Sequence, residues 1–296
     1  MIVRVLGSAA GGGVPQWNCA CRNCAAARAG RAPARTESGF AVSADGTNWW
    51  LINASGDLAQ QFARTAALWP STTRGTPLAG ILLTDANVDH IGGFAVMRQG
   101  GECGFEVYSS APVRALAGEQ PMLRPFLAAP HRWESVPAGG AVTLGRELRA
   151  TAIAVPGLLP GYAGRAADPE AVYAWAIEDE RRGGRVLFAP IFAALGRELL
   201  AQIGRSPLAL VDGTFWSDDE LASVGVAKRA SDLGHLPIGG DLGSLRALAP
   251  LAAAGTRVVY AHLNNTNPAL RPESAAAEAL AAAGIALAAD GDEWML

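Results

Sequence analysis

The chain lacks several features that would settle its class at once. It has no excess of charge: 24 Lys and Arg stand against 27 Asp and Glu, a formal net charge of -3, with pI about 5.8. The basic residues are scattered, so the electrostatic footprint that holds a phosphate backbone is missing and nucleic-acid binding is not expected. There is no apolar run of the roughly 20 residues a membrane span needs. The Ala-rich stretches near 247–254 and 275–289 are too short or contain Glu278. The opening "MIVRVLGSAAGGG" has Arg4 inside a short apolar run broken by glycines, without the h-region or cleavage site of a signal peptide, so a soluble, cytoplasmic protein is expected. Its glycines do not make a phosphate loop, because no Gly-Lys-Ser/Thr follows and the dinucleotide-binding spacing is absent. Histidine is scarce, with four in 296 residues.

What is present is a large apolar fraction, 50% of the chain, enough for a sizeable core in one domain over 1–296. Runs rich in β-branched and aromatic residues predict strands at 2–7, 39–44, 48–53, 80–84, 105–109, 147–155, 172–178, 185–190, 208–212, 257–263 and 284–290. Asp45-Gly46 turns the second run into the third as a hairpin. Helical patterns lie at 57–69, 111–119, 192–204, 242–253 and 272–283, the last closed by Gly284 as a C-cap. Hairpin strands in one part and helix-separated strands in another predict an α/β architecture of sheets covered by helices. The Gly- and Pro-rich segment 156–169 is the candidate for a mobile lid.

The chemistry concentrates at strand ends. "LLTDANVDHIGG" sets Asp85, Asn87, Asp89 and His90 within six residues after an apolar strand, where sites are commonly built. An Asx-rich turn capping its own backbone is the plain alternative. Two further strand ends, Asp212 in "LALVDGTFW" and His262 in "VVYAHLNNTNP", favour a shared site. A second cluster, "CACRNC", holds Cys19, Cys21 and Cys24 too closely for relaxed disulfides. Three thiolates on one Zn2+ fit better, with a fourth ligand from far along the chain; three free thiols are the alternative. Cys103 reads as a small buried apolar residue and His131 as a surface or structural one.

"TDANVDHIGG" resembles the T-H-x-H-x-D-H-x-G-G signature of the metallo-β-lactamase superfamily, with Asp85 and Asn87 where its first two histidines stand. More narrowly, "VLGSAAGGGVPQWNCACRNC", "DGTFWSDDE", "GHLPIGG" and "HLNNTNP" resemble the pyrroloquinoline quinone (PQQ) biosynthesis protein B (PqqB) family from end to end. The resemblance implies an αββα sandwich of two mixed sheets flanked by helices. It implies a weak or empty first metal site, since 151–170 holds no histidine, and a second site of Asp89, His90, Asp212 and His262. Two histidines with one or two carboxylates and open positions is the ligand set of non-haem Fe(II) oxygenases. Fe(II)- and O2-dependent hydroxylation of a tyrosine-derived ring of a PqqA-type, peptide-derived PQQ precursor is therefore the expected activity. Asp85 and Asn87 are then expected to contact substrate or water and to tune the ligands, and His235 to act as acid or base. In related phosphodiesterases the fourth zinc ligand is a histidine where this chain has Asn265. A carrier of PQQ or its precursor and a zinc hydrolase are the alternative functions, and other PQQ pathway enzymes are expected partners, docking on 156–169.

Overall fold

Side-chain alternation along the strands builds the layers. The computed structural model describes residues 1–100, 103–127 and 130–296, which form two seven-stranded sheets. The first contains β1 (Ile2–Gly7), β2 (Gly39–Ser43), β3 (Trp49–Ile52), β4 (Leu78–Leu82), β5 (Glu106–Ser109) and β6 (Arg132–Ser135). The second contains β7 (Ala141–Leu144), β8 (Leu148–Ala154), β9 (Tyr173–Asp179), β10 (Arg185–Ala189), β11 (Leu208–Asp212), β12 (Arg257–Ala261) and β13 (Ala286–Leu287). The closing strand β14 (Glu293–Met295) returns to the first sheet and pairs antiparallel with β1, giving the orders β14-β1-β2-β3-β4-β5-β6 and β13-β12-β11-β10-β9-β8-β7. Each sheet has three antiparallel pairings followed by three parallel ones.

Along β10, Val186 and Phe188 face the opposite sheet while Leu187 and Ala189 face helices, the period of two that a strand imposes. Phe40 and Phe188 meet across the sandwich at 5.3 Å between ring centroids. Helices Arg197–Gly204, Ser244–Ala253 and Ala275–Ala282 cover the second sheet with Leu199, Ile203, Leu248 and Leu280. Leu58, Ile91, Phe94 and Val113 cover the first. Burying each such side chain contributes on the order of 1.5–3 kcal/mol, and the result is the expected αββα sandwich. Among the described residues, no helix is long and apolar enough to cross a membrane.

The predicted strands fall within a few residues of those observed, and Ala111–Glu119 and Leu208–Asp212 match end for end. The Asp45-Gly46 hairpin joins β2 to β3, with Asp45 Oδ1 accepting from the Thr47 and Asn48 amides. Gly284, at φ 67, follows Ala275–Ala282, and the Ile285 amide reaches back to Leu280 O. Two expectations need correction. The run 284–290 is a strand only over Ala286–Leu287, because Asp290 turns inward and accepts from the amides and hydroxyls of Ser8 and Thr36. The helix expected from 192 starts at Arg197, because the preceding segment folds over the end of β11. Helix Arg22–Arg28 and strands β6, β7 and β14 were not anticipated.

The sheets are tied where β4 ends. Trp175 Nε1 donates to Leu83 O at 2.9 Å, and the Tyr173 amide to Thr84 O at 2.7 Å. Segment 156–169 carries a short 3-10 turn, Gly161–Ala163, whose Tyr162 hydroxyl donates to Ala86 O at 2.6 Å and so ties the segment to the same turn.

Candidate metal centre

The turn after β4 is organised around one buried carboxylate. Asn53, in a left-handed conformation (φ 65) after β3, accepts from the Thr84 amide and donates to Thr84 Oγ1. Thr84 Oγ1 donates to Asp85 Oδ2 at 2.7 Å. The Asn87 amide and Nδ2 both donate to Asp85 Oδ1 at 2.8 Å, and His90 Nδ1 lies 2.6 Å from Asp85 Oδ2. Asp85 is 0% exposed. Burial works against its charge, but the His90 imidazole and these hydrogen bonds outweigh it and hold its carboxyl below the usual range. An ionised carboxylate only accepts, so His90 Nδ1 carries the proton and Nε2 points away with no partner although it is buried.

A second relay serves His262. It stands just after β12 with φ 56, a costly conformation for a residue with a Cβ, held by the Leu263 amide on Ser8 O. Thr214 Oγ1 donates to Asp212 Oδ1 at 2.7 Å and therefore accepts from His262 Nδ1 at 2.8 Å. His262 Nε2 is left facing Asp89 Oδ2 at 3.3 Å. Asp212, 0% exposed, also receives the amides of Phe192 and Thr214 and His235 Nδ1, the last at 2.8 Å. The histidine from "GHLPIGG" is thus beside the site, its ring 5.5 Å from that of His262.

Donor atoms of Asp89, His90 and His262 lie within 4.8 Å of one another, with Asp89 Oδ2 3.9 Å from His90 Nε2. First-row ions sit about 2.0–2.2 Å from N and O ligands, so these separations suit one ion between them. The unpartnered Nε2 is the test of fit: a buried polar atom without a partner is costly, and an ion satisfies it. Charge agrees. Burial lowers the His90 imidazole, but Asp85 and Asp89 overcome it and raise it to about 9, so the pocket calls for a cation. Burial keeps His262 low and neutral.

The sulfurs of Cys19, Cys21 and Cys24 converge in the same way. Helix Arg22–Arg28 places Cys24 one turn beyond Cys21, and the three surround Asn265 Nδ2 at 3.1, 3.6 and 3.3 Å. Asn23 Nδ2 donates to Asn265 O and Asn267 O, both at 2.8 Å, clamping the knuckle to the segment after His262. Asn265, expected as the fourth position, thus lies against the three sulfurs, with its amide Nδ2 donating to them. Burial pushes the Cys24 thiol up to about 11, so a cation is needed to hold it as thiolate. Elsewhere, His131 is structural, stacked 3.9 Å from Phe126 with Nδ1 accepting from the Phe105 amide. Cys103 is only half-buried, a correction to the buried expectation, since it sits at the rim of the outer cluster. Thr84, Thr214 and Asn53 were missed; Thr84 occupies the threonine of the T-H-x-H-x-D-H-x-G-G pattern, which could have marked it, whereas nothing in the sequence marks Asn53 or Thr214.

Two facing mixed sheets with a histidine-carboxylate cluster at their strand ends define a β-lactamase superfamily domain, and the family described as Beta-lactamase superfamily domain matches residues 48–263. The chain is 39% identical to coenzyme PQQ synthesis protein B of Rhodopseudomonas palustris (strain BisB5), over all of both chains. It is 40% identical to the protein of that name from Cupriavidus taiwanensis, over 99% of each. The crystal structure of Zn(2+)-bound PqqB from Methylobacterium extorquens superposes over 100% of both chains with a TM-score of 0.92 at 32% identity. The chain belongs to the coenzyme PQQ synthesis protein B family within that superfamily. A diphosphatase of the PhnP family shares the fold, with a TM-score of 0.67 over 99% of this chain and 96% of the other, at 16% identity.

Proposed function

We propose that this chain acts in coenzyme PQQ synthesis, as one cytoplasmic domain, as a metal-dependent oxygenase that hydroxylates a tyrosine-derived ring of the peptide-derived precursor. One atom of O2 is inserted into a ring C–H bond to give C–OH, and the other leaves as water, with two electrons from an external reductant and two protons from solvent. Asp89, His90 and His262 would hold Fe(II), a two-histidine, one-carboxylate set with positions left open, which supplies O2 activation when the ion is bound. The carrying observation is the division of labour among the carboxylates. Asp85 and Asp212 each accept four hydrogen bonds from the protein, whereas Asp89 meets only the ligand histidines. On this reading Asp212, expected as a ligand, positions His262 and His235, and Asp85 and Asn87 position His90 rather than touching substrate. His235, with Nδ1 held by Asp212, keeps Nε2 for proton transfer at the substrate hydroxyl. The cysteine knuckle with Asn265 would hold a structural Zn2+.

The zinc in the Methylobacterium relative favours a second reading, a zinc hydrolase. Against it, a two-metal site needs ligands where Asp85 and Asn87 are already bonded to each other. The test is metal and oxygen analysis of protein purified anaerobically and supplied with Fe(II) or Zn2+. Oxygen consumption with the PQQ precursor under Fe(II), lost in a His90→Ala, His262→Ala variant, is the expected result. Turnover of a simple ester or lactam with Zn2+ and none with Fe(II) and O2 would overturn it.

A further inference from the structure

A second feature, sharing no lining residue with the metal cluster, concerns arginine. A cavity of about 280 Å³ opens between the cysteine-knuckle helix, the 31–35 segment and the 270–273 turn. Arg22, Arg31, Arg35 and Arg271 line it, with Glu273 the one acidic residue in the lining, while Asp290 and Asp292 act on Arg35 from behind the wall. Its floor is apolar, formed by Val14, Ala26 and Leu270. Among the described residues, every ion pair of the chain involves other arginines, histidines or the N-terminus, so none of these four guanidinium groups is neutralised by direct pairing. Arg35 donates to Ser8 Oγ and Ala288 O, and Arg271 to Asn23 Oδ1 at 3.3 Å, which fixes two of the four in place. Asp290 and Asp292 offset part of the Arg35 charge, and the charges of Arg22, Arg31 and Arg271 face the cavity without an ion-pair partner among the described residues.

Gathering like charges around a cavity costs energy that a bound anion returns. Guanidinium groups present paired N–H donors that match carboxylate and phosphate oxygens, and several around one small space suit a ligand with more than one anionic group. The volume lies near the lower end for small-molecule sites, which excludes a macromolecular segment of any length. We propose that this cavity is a binding site for a small polyanion carrying at least two carboxylate or phosphate groups. Because its walls come from the knuckle helix and from the turn that follows Asn265 and Asn267, the ligand bridges the segments that the knuckle ties together.

The test is calorimetric titration of the protein as purified, freed of unbound metal, with citrate, inorganic pyrophosphate and, as a monoanion control, acetate. Its bound metal is assayed before and after, because citrate and pyrophosphate also chelate Zn2+. Arg22 and Arg31 are exposed and unpaired, so Arg22→Gln with Arg31→Gln should leave the fold intact. Binding of citrate or pyrophosphate, absent for acetate, and weakened at least about tenfold in that double variant, is the expected result, since charged hydrogen bonds are worth about that or more each. The exposed Arg149→Gln variant, outside the cavity, should bind as the wild type does. Tighter binding of citrate assigns a carboxylate ligand and tighter binding of pyrophosphate a phosphate one. Should the double variant misfold, Arg31→Gln alone carries the test, with a loss about half as large on a logarithmic scale. No binding of either polyanion by the wild type, or binding by the Arg22→Gln, Arg31→Gln double variant and by Arg31→Gln alone equal to that of the wild type, would overturn the site.

Discussion

Asp85 carries a full charge at 0% exposure, and its four donors explain how. Where the superfamily signature has a histidine, this chain places a carboxylate that meets His90 Nδ1 at 2.6 Å. Asp85→Asn keeps the shape but removes the charge that fixes the Nδ1 proton. Metal affinity should fall by about 10- to 100-fold, the usual cost of losing such a partner, with the circular-dichroism spectrum unchanged. Competition titration with a chromogenic chelator reads it, and unchanged affinity would mean that Asp85 is only a turn residue. The sequence makes Asp85, Asp89 and His90 conspicuous because they crowd into six positions. Thr214 was illegible, since its partner His262 lies 48 positions away and nothing in a Gly-Thr dipeptide announces a proton relay.

At the level of elements, the site depends on how closely the ends of β11 and β12 approach. A Cβ on Gly213 would lie 2.7 Å from Tyr260 Cβ, 2.9 Å from Ala261 O and 3.0 Å from Leu263 Cδ2. Gly213→Ala should therefore cost about 1–3 kcal/mol and push Thr214 away from His262, weakening metal binding as well. Gly80→Ala makes a useful control, because its Cβ would meet Glu106 O and the Trp50 ring, both at 2.3 Å, at the middle of β4 and away from the site residues. It should lower stability in urea melts but leave affinity unchanged in the folded fraction. The segment after β11 adds a pH-dependent element. Glu220 accepts from the Trp216 amide and Thr266 Oγ1, yet burial outweighs these bonds and raises it to about 7 from 4.5. A carboxyl raised on folding stabilises most below its unfolded value, and that contribution is lost as pH rises from about 4.5 through 7. It amounts to about 3 kcal/mol at most, so denaturant melts at pH 5 and pH 8 should differ less in Glu220→Gln than in the wild type. Apolar strands such as Leu208–Asp212 were legible because burial on both faces leaves a continuous hydrophobic run. Strand β6, exposed on alternate residues, and helix Arg22–Arg28, which has no apolar stripe, carried no such signal.

Across the whole molecule, two ion sites would do different work, and their independence can be counted. The knuckle joins residues 19–24 to Asn265 and Asn267, closing a loop of some 240 residues, while the Ser8–Leu263 and Ala10–Leu263 hydrogen bonds run beside it. Closing so long a loop stabilises by about 3 kcal/mol or more on chain-entropy grounds, although the gain depends on strain in the closed state. Cys21→Ser with Cys24→Ser should lose one ion and lower Tm by about 6 °C or more. It should also loosen His262, because the clamped segment begins three residues after it and holds its left-handed backbone in place. His90→Ala with His262→Ala should lose the other ion and keep the knuckle ion. In the presence of chelator its Tm should still fall below that of the wild type, because His90→Ala leaves the buried Asp85 carboxylate without the imidazole that offsets its charge. Metal analysis of both variants beside the wild type decides the matter: two ions in the wild type and one in the histidine variant is the expected count. A histidine variant that loses both ions would make the clamp and the active-site cluster one cooperative unit. A cysteine variant that keeps two would leave the knuckle as three thiols around an amide, with no ion to account for its place beside His262.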